Sequence, residues 1–262
     1  MCYNTGVRVI YKGCTEWRGA PMEMKYTRNI TILPSQLDPE GRLGMANTFD
    51  LFMDTATEAA GAMGVGWDFL KRKGMFWITV KARVRFIKAP GVLDEVEVAT
   101  WPEAPGEKRC NRYYTIRRGG ELMAVGKTEW AIVSVLTRRT QPMDKILPQG
   151  YAYPEESASP EPFPMIDERF PEPPYAEHRV AALDIDMARH MNNVAYVRAI
   201  INSFTAKEWK KLNIVQMDMI FLSSAVEGDV LQLQKREARE YIDIRGSISG
   251  GKTSVLARLT RG

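Results

Sequence analysis

Cysteine is scarce in this chain of 262 residues, and the three that occur, Cys2, Cys14 and Cys110, lie far apart. Closely spaced cysteines hold structural zinc, and a dense, even-numbered set builds the disulfide framework of a small secreted domain. This odd and sparse set has neither pattern. We therefore expect no disulfide framework, no metal ion and no cofactor, and we expect a reducing, cytoplasmic compartment.

Long apolar runs are also missing, and no segment is long enough to span a bilayer. The N-terminus lacks the charged and then apolar pattern of an export leader, so we expect neither membrane insertion nor export. The net charge of +4 is too small to favour nucleic acid, but it suits an acidic partner or an anionic ligand. Apolar residues make up 45% of the chain, which is enough to build one large core or two smaller ones.

The distribution of periodic and turn-forming residues divides the chain into four segments. Residues 1–21 show no sustained periodicity and are predicted to form an N-terminal extension. Residues 149–175 are rich in Pro, Glu and Ser, a composition that favours neither a packed core nor a strand ladder, so they are predicted to form a linker. The remaining segments, 22–148 and 176–262, are predicted to be two folded domains.

Both predicted domains have the same order of elements: one strand, one long apolar helix and several antiparallel strands. In the first, Asn47 is the expected cap of the helix and Gly119-Gly120 is a hairpin turn. A unit of this kind buries its helix against one face of a sheet, which is an α+β arrangement. The predicted strands span 26–33, 76–86, 94–101, 109–118, 121–136, 177–183, 212–221, 229–236, 240–247 and 252–259, and the helix of the second domain spans 193–204.

The stretch Asp184 to Tyr196 combines a polar turn with the start of a helix. The turn contains one acid, Asp186, and one of only two histidines, His190. Asn192 or Asn193 is a suitable N-cap, which leaves the first free amides and the positive end of the helix dipole facing the turn. Such a turn would favour a developing oxyanion. The buried face of the helix that follows is predicted from helical spacing at Val194, Val197, Ile201 and Phe204.

This stretch resembles the Asp-x-Asn-x-His-Val-Asn-Asn-x-x-Tyr segment of the acyl-acyl-carrier-protein thioesterases. The resemblance covers roughly residues 24 to 262 and implies tandem hot-dog domains, each an antiparallel sheet wrapped around a long central helix. It also implies an enzyme that hydrolyses acyl-acyl-carrier-protein (acyl-ACP) thioesters to free fatty acids in fatty-acid biosynthesis. The matched positions are Asp184, Asp186, His190, Asn192, Asn193 and Tyr196.

Two positions depart from the family pattern. Ala188 stands where the family has its catalytic asparagine, and Ser224 stands at or near the position of the family's catalytic Glu or Cys, shortly before the Gly228-Asp229 turn. Serine can hydrogen-bond a water molecule, but it is not a strong base, and no second histidine is placed in the sequence to activate it. Glu227 is an alternative if the strand carries a bulge.

Thioester hydrolysis requires an activated water molecule and a site for the oxyanion. Asp186 or His190 is the expected proton acceptor, since an imidazole has an unperturbed pKa of about 6.5. The amides near Asn192 and Asn193 are expected to hold the oxyanion, with Ser224 as an auxiliary group. A hydrogen bond that only braces the turn is the competing interpretation of His190, and Asp184 is expected to be structural.

Only the second domain has these groups, because pairing Arg42-Leu43 with Arg189-His190 places Leu43 opposite the histidine. The first domain would then supply an apolar chamber for the acyl chain. Its candidate lining residues are Phe49, Met53, Ala56 and Trp77, which are otherwise ordinary core.

Two other functions fit the same residues, namely hydrolysis of acyl-coenzyme A and acyl-thioester binding without catalysis. The expected partner is an acidic acyl carrier protein, steered by a basic cluster such as Lys207, Lys210 and Lys211. We expect the two domains to pair as a pseudo-dimer, with a homodimer as a further option. Gly246 to Thr253 matches the phosphate-loop pattern in letters, but a final strand follows it, so we interpret it as a hairpin turn.

Overall fold

The computed structural model describes residues 22–147, 151–248 and 250–262, so the predicted extension at 1–21 lies outside the described residues. Within the described part of the chain, none of the helices is long and apolar enough to cross a membrane. The strands are β1 (Met22–Glu23), β2 (Tyr26–Thr31), β3 (Met75–Phe86), β4 (Glu95–Pro102), β5 (Cys110–Arg118), β6 (Glu121–Ser134), β7 (Tyr151–Ala152), β8 (Ala176–Arg179), β9 (Ile214–Phe221), β10 (Val230–Glu237), β11 (Tyr241–Ile248) and β12 (Lys252–Arg261). The α-helices are α1 (Met45–Ala62), α2 (Trp67–Arg72), α3 (Asn193–Asn202) and α4 (Ala206–Leu212).

The first of two compact units contains the described residues up to Ile78 together with Ile87–Pro160. Its strands β2, β4, β5 and β6 form antiparallel neighbours in that order. Their register places Tyr26 opposite Thr100, Thr100 opposite Tyr114, and Tyr114 opposite Gly126. The β5–β6 connection is the predicted hairpin, and both of its glycines have positive φ angles, 55° and 89°, which glycine adopts without steric cost.

The second unit contains Thr79–Phe86 together with Glu161–Gly262. In this unit the C-terminal part of β3 pairs with β9, and the antiparallel order continues through β12, β11 and β10 to β8. The phosphate-loop letters lie in the β11–β12 hairpin and lead into strand β12, as expected. Because Thr79–Phe86 packs with the second unit, the compact units are not continuous in sequence. The domain boundaries 22–148 and 176–262 stay a prediction.

The long helix α1 packs its apolar face on the sheet of the first unit. Phe49 and Ala56 are buried, and the ring of Phe52 stacks on Tyr114 with centroids 4.6 Å apart. The prediction that Asn47 caps this helix is wrong. Gly44 occupies the N-cap position, and Asn47 lies within the first helical turn. Glycine is an acceptable N-cap residue, but it carries no side chain by which the sequence pattern reveals it.

Helix α3 of the second unit begins where it was predicted and ends two residues earlier. Val194 and Val197 are buried as expected, while Ile201 is only half-buried and Phe204 lies beyond the helix end. Ile200 is buried in their place. Two short helices that were not predicted, α2 and α4, follow α1 and α3. Strand β8 ends at Arg179 and not at the predicted residue 183, and a 3-10 turn follows at Ala182–Asp184.

Thr79 and Arg83 are buried although they lie on the polar side of strand β3, which the alternation of its sequence predicts to be exposed. Arg83 is 4% exposed and donates from its Nε to Oδ1 of Asp218 on β9, at 2.6 Å, and Asp218 is 1% exposed. The guanidinium also donates to the carbonyls of Glu161 and Pro162, and it lies over the Phe163 ring. These partners satisfy a charge pair whose burial would otherwise be costly.

The Pro-rich segment after residue 150 packs on each unit in turn, although its composition favours neither packing nor pairing. In the first unit β7 pairs with β1, the indole of Trp101 donates to the Glu156 carbonyl at 2.7 Å, and Ser159 is buried. In the second unit Arg236 donates to the Arg169 carbonyl. Side chains of the sheets thus donate to a segment in which prolines remove several of the amide donors.

Removing the charge of Arg83 is expected to destabilise the second unit because it leaves Asp218 buried without its ion-pair partner. Arg83→Met should lower the free energy of unfolding by about 3–5 kcal/mol. Burial raises the pKa of Asp218 above its ordinary value, so the native state binds this proton more tightly than the unfolded chain does. Stability therefore falls as pH rises from the pKa of Asp218 in the unfolded chain to its higher pKa in the native state. This pH range is wider without Arg83, because the guanidinium lowers the native pKa. The deficit of the variant should shrink as pH is lowered.

Denaturant unfolding at several pH values measures this effect. Arg85→Met is the matched control, because Arg85 lies on the same strand with an exposed side chain and only a long ion pair to Glu161, of 3.7 Å. It should cost less than about 1 kcal/mol at every pH. Equal losses in the two variants would show that the buried pair is not what stabilises this strand pair.

Candidate functional site

The polar elbow before α3 is a closed turn held by its own backbone. The amide of Asp186 donates to the His190 carbonyl at 2.9 Å, and Ile185 and Met191 form a β-bridge. The amide of Asn192 donates to the Asp184 carbonyl at 2.7 Å. Arg189 completes the turn with a φ angle of 62°, in the left-handed region that residues with a Cβ seldom adopt.

The carboxylate of Asp186 is the acceptor at the centre of the elbow. Its Oδ1 accepts from the amides of Ala188, at 2.8 Å, and His190, at 3.2 Å. Its Oδ2 has no hydrogen bond to the part of the chain that the structure describes. One oxygen of Asp186 therefore fixes the turn, and the other can still accept a proton or a water molecule.

His190 is held through its backbone, because its amide and its carbonyl both bond Asp186. Its half-buried imidazole makes no hydrogen bond or ion pair with any of the described residues. No hydrogen bond joins the carboxylate of Asp186 to this ring. The imidazole therefore does not brace the elbow, and both of its nitrogens remain available to a ligand.

The second histidine, His178, supports the elbow from strand β8. Its Nε2 lies 2.9 Å from Oδ2 of Asp184, and the same oxygen accepts from the Ala181 amide at 2.9 Å. Asp184 is thus a structural residue of the elbow, as expected, while sequence reasoning missed His178 because no sequence pattern links a strand histidine to an aspartate six residues later. Within residues 22–147, 151–248 and 250–262, no cluster of His, Cys, Asp or Glu is arranged to hold a metal ion.

Asn192 is the N-cap of α3, and its Oδ1 accepts from the Val194 amide at 2.8 Å. The Ala195 amide donates to the Asn192 carbonyl at 2.9 Å. Of the helix-start amides expected to face the elbow, those of Val194 and Ala195 are therefore already used. The Asn193 amide has no acceptor among the described residues, so it is the donor left for a ligand.

Ser224 lies on an exposed loop that follows β9, not on the strand itself. The loop is tied to the elbow, since the Met191 amide donates to the Ala225 carbonyl at 2.9 Å. A further tie joins the Gly228 amide to the Val180 carbonyl at 3.0 Å. Glu227 lies in the turn before Gly228 rather than on a bulged strand, and it is exposed. Ser224 thus precedes Ala225, whose carbonyl is bonded to Met191, the residue after His190.

The first unit has an elbow of the same geometry before α1. Oδ1 of Asp38 accepts from the amides of Glu40 and Arg42, both at 3.0 Å, and the Asp38 amide donates to the Arg42 carbonyl at 2.7 Å. Gly41 has a φ angle of 74°. These bonds match those of Asp186 with Ala188 and His190, so His190 corresponds to Arg42. The predicted pairing of His190 with Leu43 is wrong by one residue.

Arg42 gives the first elbow a different chemistry. Its guanidinium lies 3.2 Å from Oδ2 of Asp38 and 3.8 Å from Oε2 of Glu40. The carboxylate oxygen that stays free in Asp186 is therefore paired in Asp38. A neutral imidazole can accept a proton near neutral pH whereas a guanidinium cannot, so the second elbow is the one equipped for acid–base chemistry.

The four candidates for binding an acyl chain all lie in the first unit. Phe49 and Ala56 are buried on α1, and Met53 is half-buried. The indole of Trp77 donates to the Val65 carbonyl at 2.9 Å and meets Trp130 edge to face at 6.2 Å. Their contact with an acyl chain stays a prediction.

Solved structures with the same architecture identify the fold. The chain aligns with an acyl-ACP thioesterase from Bacteroides thetaiotaomicron VPI-5482 at a TM-score of 0.77 and 19% identity, covering 90% of this chain and 97% of the other. It aligns with the 12:0-ACP thioesterase from Umbellularia californica at a TM-score of 0.74 and 15% identity, covering 92% and 98%. The α+β fold of tandem hot-dog domains is therefore confirmed.

Family models match both halves of the sequence. The acyl-ACP thioesterase N-terminal domain matches residues 23–151, and the acyl-ACP thioesterase C-terminal domain matches residues 168–259. The chain belongs to the acyl-ACP thioesterase family, which confirms the resemblance found in the elbow.

Curated relatives are distant and longer. The chain is 22% identical to oleoyl-acyl carrier protein thioesterase 1, chloroplastic, of Arabidopsis thaliana over 70% of its length and 54% of that protein. It is 25% identical to a palmitoyl-acyl carrier protein thioesterase, chloroplastic, of Gossypium hirsutum over 68% of its length and 46% of that protein. The chain thus spans about half the length of the curated relatives that it matches.

Removing the cap of α3 is expected to destabilise the elbow. Asn192→Ala leaves the Val194 amide without its acceptor and should cost about 1 kcal/mol of unfolding free energy. Asn192→Asp keeps an acceptor oxygen and should cost much less, and Asn193→Ala is the neighbouring control because no hydrogen bond of its side chain is present among the described residues. Chemical denaturation measures all three. A larger loss for Asn193→Ala than for Asn192→Ala would contradict the assigned cap.

Proposed function

We propose that this protein hydrolyses acyl-ACP thioesters to free fatty acids in fatty-acid biosynthesis. Family membership across both halves supports the reaction class. The observation that carries the proposal is the His190 imidazole, which has no partner among the described residues and lies three residues before the free amide of Asn193. A base and an oxyanion donor on one rigid turn are what thioester hydrolysis requires.

In the proposed reaction, His190 takes a proton from water as the water oxygen bonds to the thioester carbonyl carbon. The Asn193 amide donates to the oxyanion of the tetrahedral intermediate, and Asn192 holds the helix start so that this amide stays exposed. The carbon–sulfur bond then breaks, and His190 returns the proton to the thiolate. Asp186 keeps the turn closed with Oδ1 and presents Oδ2 to the water or the imidazole.

Ser224 is proposed to orient the attacking water through its hydroxyl, because a serine without an adjacent base is a hydrogen-bonding group rather than a nucleophile. Ala188 contributes only its amide, which donates to Asp186. The family's asparagine is thus replaced by a residue without a hydrogen-bonding side chain, and its Glu or Cys is replaced by a weaker base. These replacements favour slow turnover, and they are the observation behind the alternative of a non-catalytic acyl-thioester-binding protein.

The proposed carrier is an acidic acyl carrier protein. Helix α4 presents the exposed side chains of Lys207, Lys210 and Lys211, and it is stabilised by a capping box between Thr205 and Glu208. A fixed cluster of exposed positive charge steers an acidic partner and raises its association rate. Acyl-coenzyme A remains the rival carrier, and we retain the proposed roles of Phe49, Met53, Ala56 and Trp77 in binding the acyl chain.

Replacing His190 tests the proposed base. His190→Ala should lower kcat by about 10²–10⁴-fold, the usual contribution of general base catalysis. Met187→Ala, which changes an exposed side chain of the same elbow, should leave kcat unchanged. The measurement is thiol release from ACP thioesters and coenzyme A thioesters of matched chain length. Hydrolysis that persists undiminished in His190→Ala would refute this mechanism, and stoichiometric binding without turnover by the wild type would favour the non-catalytic alternative.

Restoring the family's residues should increase turnover. In the double variant Ala188→Asn, Ser224→Glu, an amide and a carboxylate return to the elbow and to its neighbouring loop, so a stronger base acts on the water. We expect kcat to rise by at least about tenfold, which corresponds to 1.4 kcal/mol of barrier. The single variants and the double variant in the His190→Ala background serve as controls. If neither the single variants nor the double variant gain turnover in the presence of His190, the two positions do not face the reacting water.

A further inference from the structure

We propose that Tyr196, acting through Ser254, is a positioning residue that fixes the two peptide groups on either side of Ser224. This inference rests on the proposed hydrolase function and concerns the same site. Tyr196 is not expected to touch the substrate, because its side chain is 2% exposed and its hydroxyl is already occupied by protein groups. Its effect would be exerted through the loop.

A continuous chain of hydrogen bonds closes around Ser224. The Ala225 amide donates to the Tyr196 hydroxyl oxygen at 2.9 Å, and that hydroxyl lies 2.8 Å from Oγ of Ser254. Oγ of Ser254 in turn donates to the Ser223 carbonyl at 2.5 Å. This series of hydrogen bonds therefore starts on the peptide group after Ser224 and ends on the peptide group before it.

The direction of each bond follows from the number of protons available. The single hydroxyl proton of Ser254 is used on the Ser223 carbonyl, so the Tyr196 hydroxyl must donate to Ser254 while it accepts from Ala225. Burial raises the pKa of Tyr196, which keeps this proton on the oxygen. Phenylalanine at position 196 would remove both bonds at once, together with the long contact of 3.5 Å from the same hydroxyl to the Ser223 carbonyl.

The same loop is tied to the elbow that carries His190. The Ala225 carbonyl accepts from the Met191 amide at 2.9 Å, while the Ala225 amide donates to Tyr196 on α3. The loop is thus bonded at Ala225 to Met191, the residue after His190, and to Tyr196 on α3. A side chain on a loop held in this way keeps one orientation toward the elbow, which is what pre-organisation of a water molecule requires.

Among its described residues, the first unit, which has no histidine, also lacks the amide and both hydroxyls that form this series of hydrogen bonds. Its corresponding loop is identified by the Leu43 amide, which donates to the Pro90 carbonyl at 2.7 Å as Met191 does to Ala225. Pro90 has no amide proton to donate. The helix position that corresponds to Tyr196 is Thr48, whose hydroxyl donates to the Gly44 carbonyl of its own helix.

The position that corresponds to Ser254 is also different. In the second unit the amides of Leu222 and Ser223 both donate to the Ser254 carbonyl, and in the first unit the amides of Ile87 and Lys88 both donate to the Met123 carbonyl. Methionine has no hydroxyl. Because the fold forms in the first unit without a donor, a relay or an acceptor at these places, the chain of bonds in the second unit is not a requirement of the fold. This difference points to a role in the site.

Tyr196→Phe tests the proposal, because it keeps the ring packed and removes only the hydroxyl. We expect kcat to fall by about tenfold, the effect of a lost hydrogen bond on one positioned group, with KM changed by less than about twofold. Tyr175→Phe is the matched control. It removes a second tyrosine–serine hydrogen bond, which is only partly buried, to Ser203 at the far end of α3, at 2.7 Å. It should leave kcat unchanged although it lowers the melting temperature.

Hydrogen exchange gives a readout that does not depend on activity. The Ala225 amide should lose its protection in Tyr196→Phe and retain it in Tyr175→Phe. Ser254→Ala should lower kcat similarly, and the double variant with Tyr196→Phe should be no worse than the worse single one, since both break one chain of bonds. Unchanged exchange at Ala225, additive losses, or an unchanged kcat would each overturn the proposal. If the wild type hydrolyses no thioester, the proposed function fails, and the exchange measurement alone decides whether Tyr196 holds the loop.

Discussion

In each domain, one aspartate in the turn before the long helix accepts hydrogen bonds from the backbone amides of that turn. Both domains depend on these bonds. A tight turn between a strand and a helix points several amides inward, and each must find an acceptor. Asp38 and Asp186 each provide one carboxylate oxygen that accepts two of them. The direction of each helix, and therefore the face that it packs on its sheet, follows from this short-range arrangement. In the second domain the same arrangement leaves the imidazole of His190 and the amide of Asn193 at the surface of the turn.

Several local features were predictable from sequence because their causes are local. A cap of α3 at Asn192 or Asn193, the Gly119-Gly120 hairpin and the repeat of elements follow from neighbouring residues, whereas the cap of α1 is Gly44 and not the predicted Asn47. The pairing of the two elbows was off by one, because matching the arginines by letter ignored the backbone, in which Gly41 and Arg189 share a positive φ angle. The burial of Arg83 on β3 could not be predicted, since its partner Asp218 lies 135 positions later in the chain.

The composition of the Pro-rich segment predicts correctly that it forms little strand pairing, but it predicts wrongly that the segment does not pack on the folded units. Because its prolines interrupt the series of amide donors, such a segment does not sustain a long strand ladder, and among its described residues the only strand is β7, of two residues. Its carbonyl oxygens, however, remain good acceptors. Long donors on the sheets, the indole of Trp101 and the guanidinium of Arg83, reach these carbonyls and hold the segment without requiring regular structure.

The closed charge pair in the first elbow bears on the history of the molecule. If the two halves arose by duplication of one ancestral segment, the ion pair of Arg42 with Asp38 would leave the first turn its structure while occupying the carboxylate oxygen that stays free in the second. Under that history, selection on the first copy would concern its shape alone, and the aspartate common to both turns would be the position under the same pressure in each.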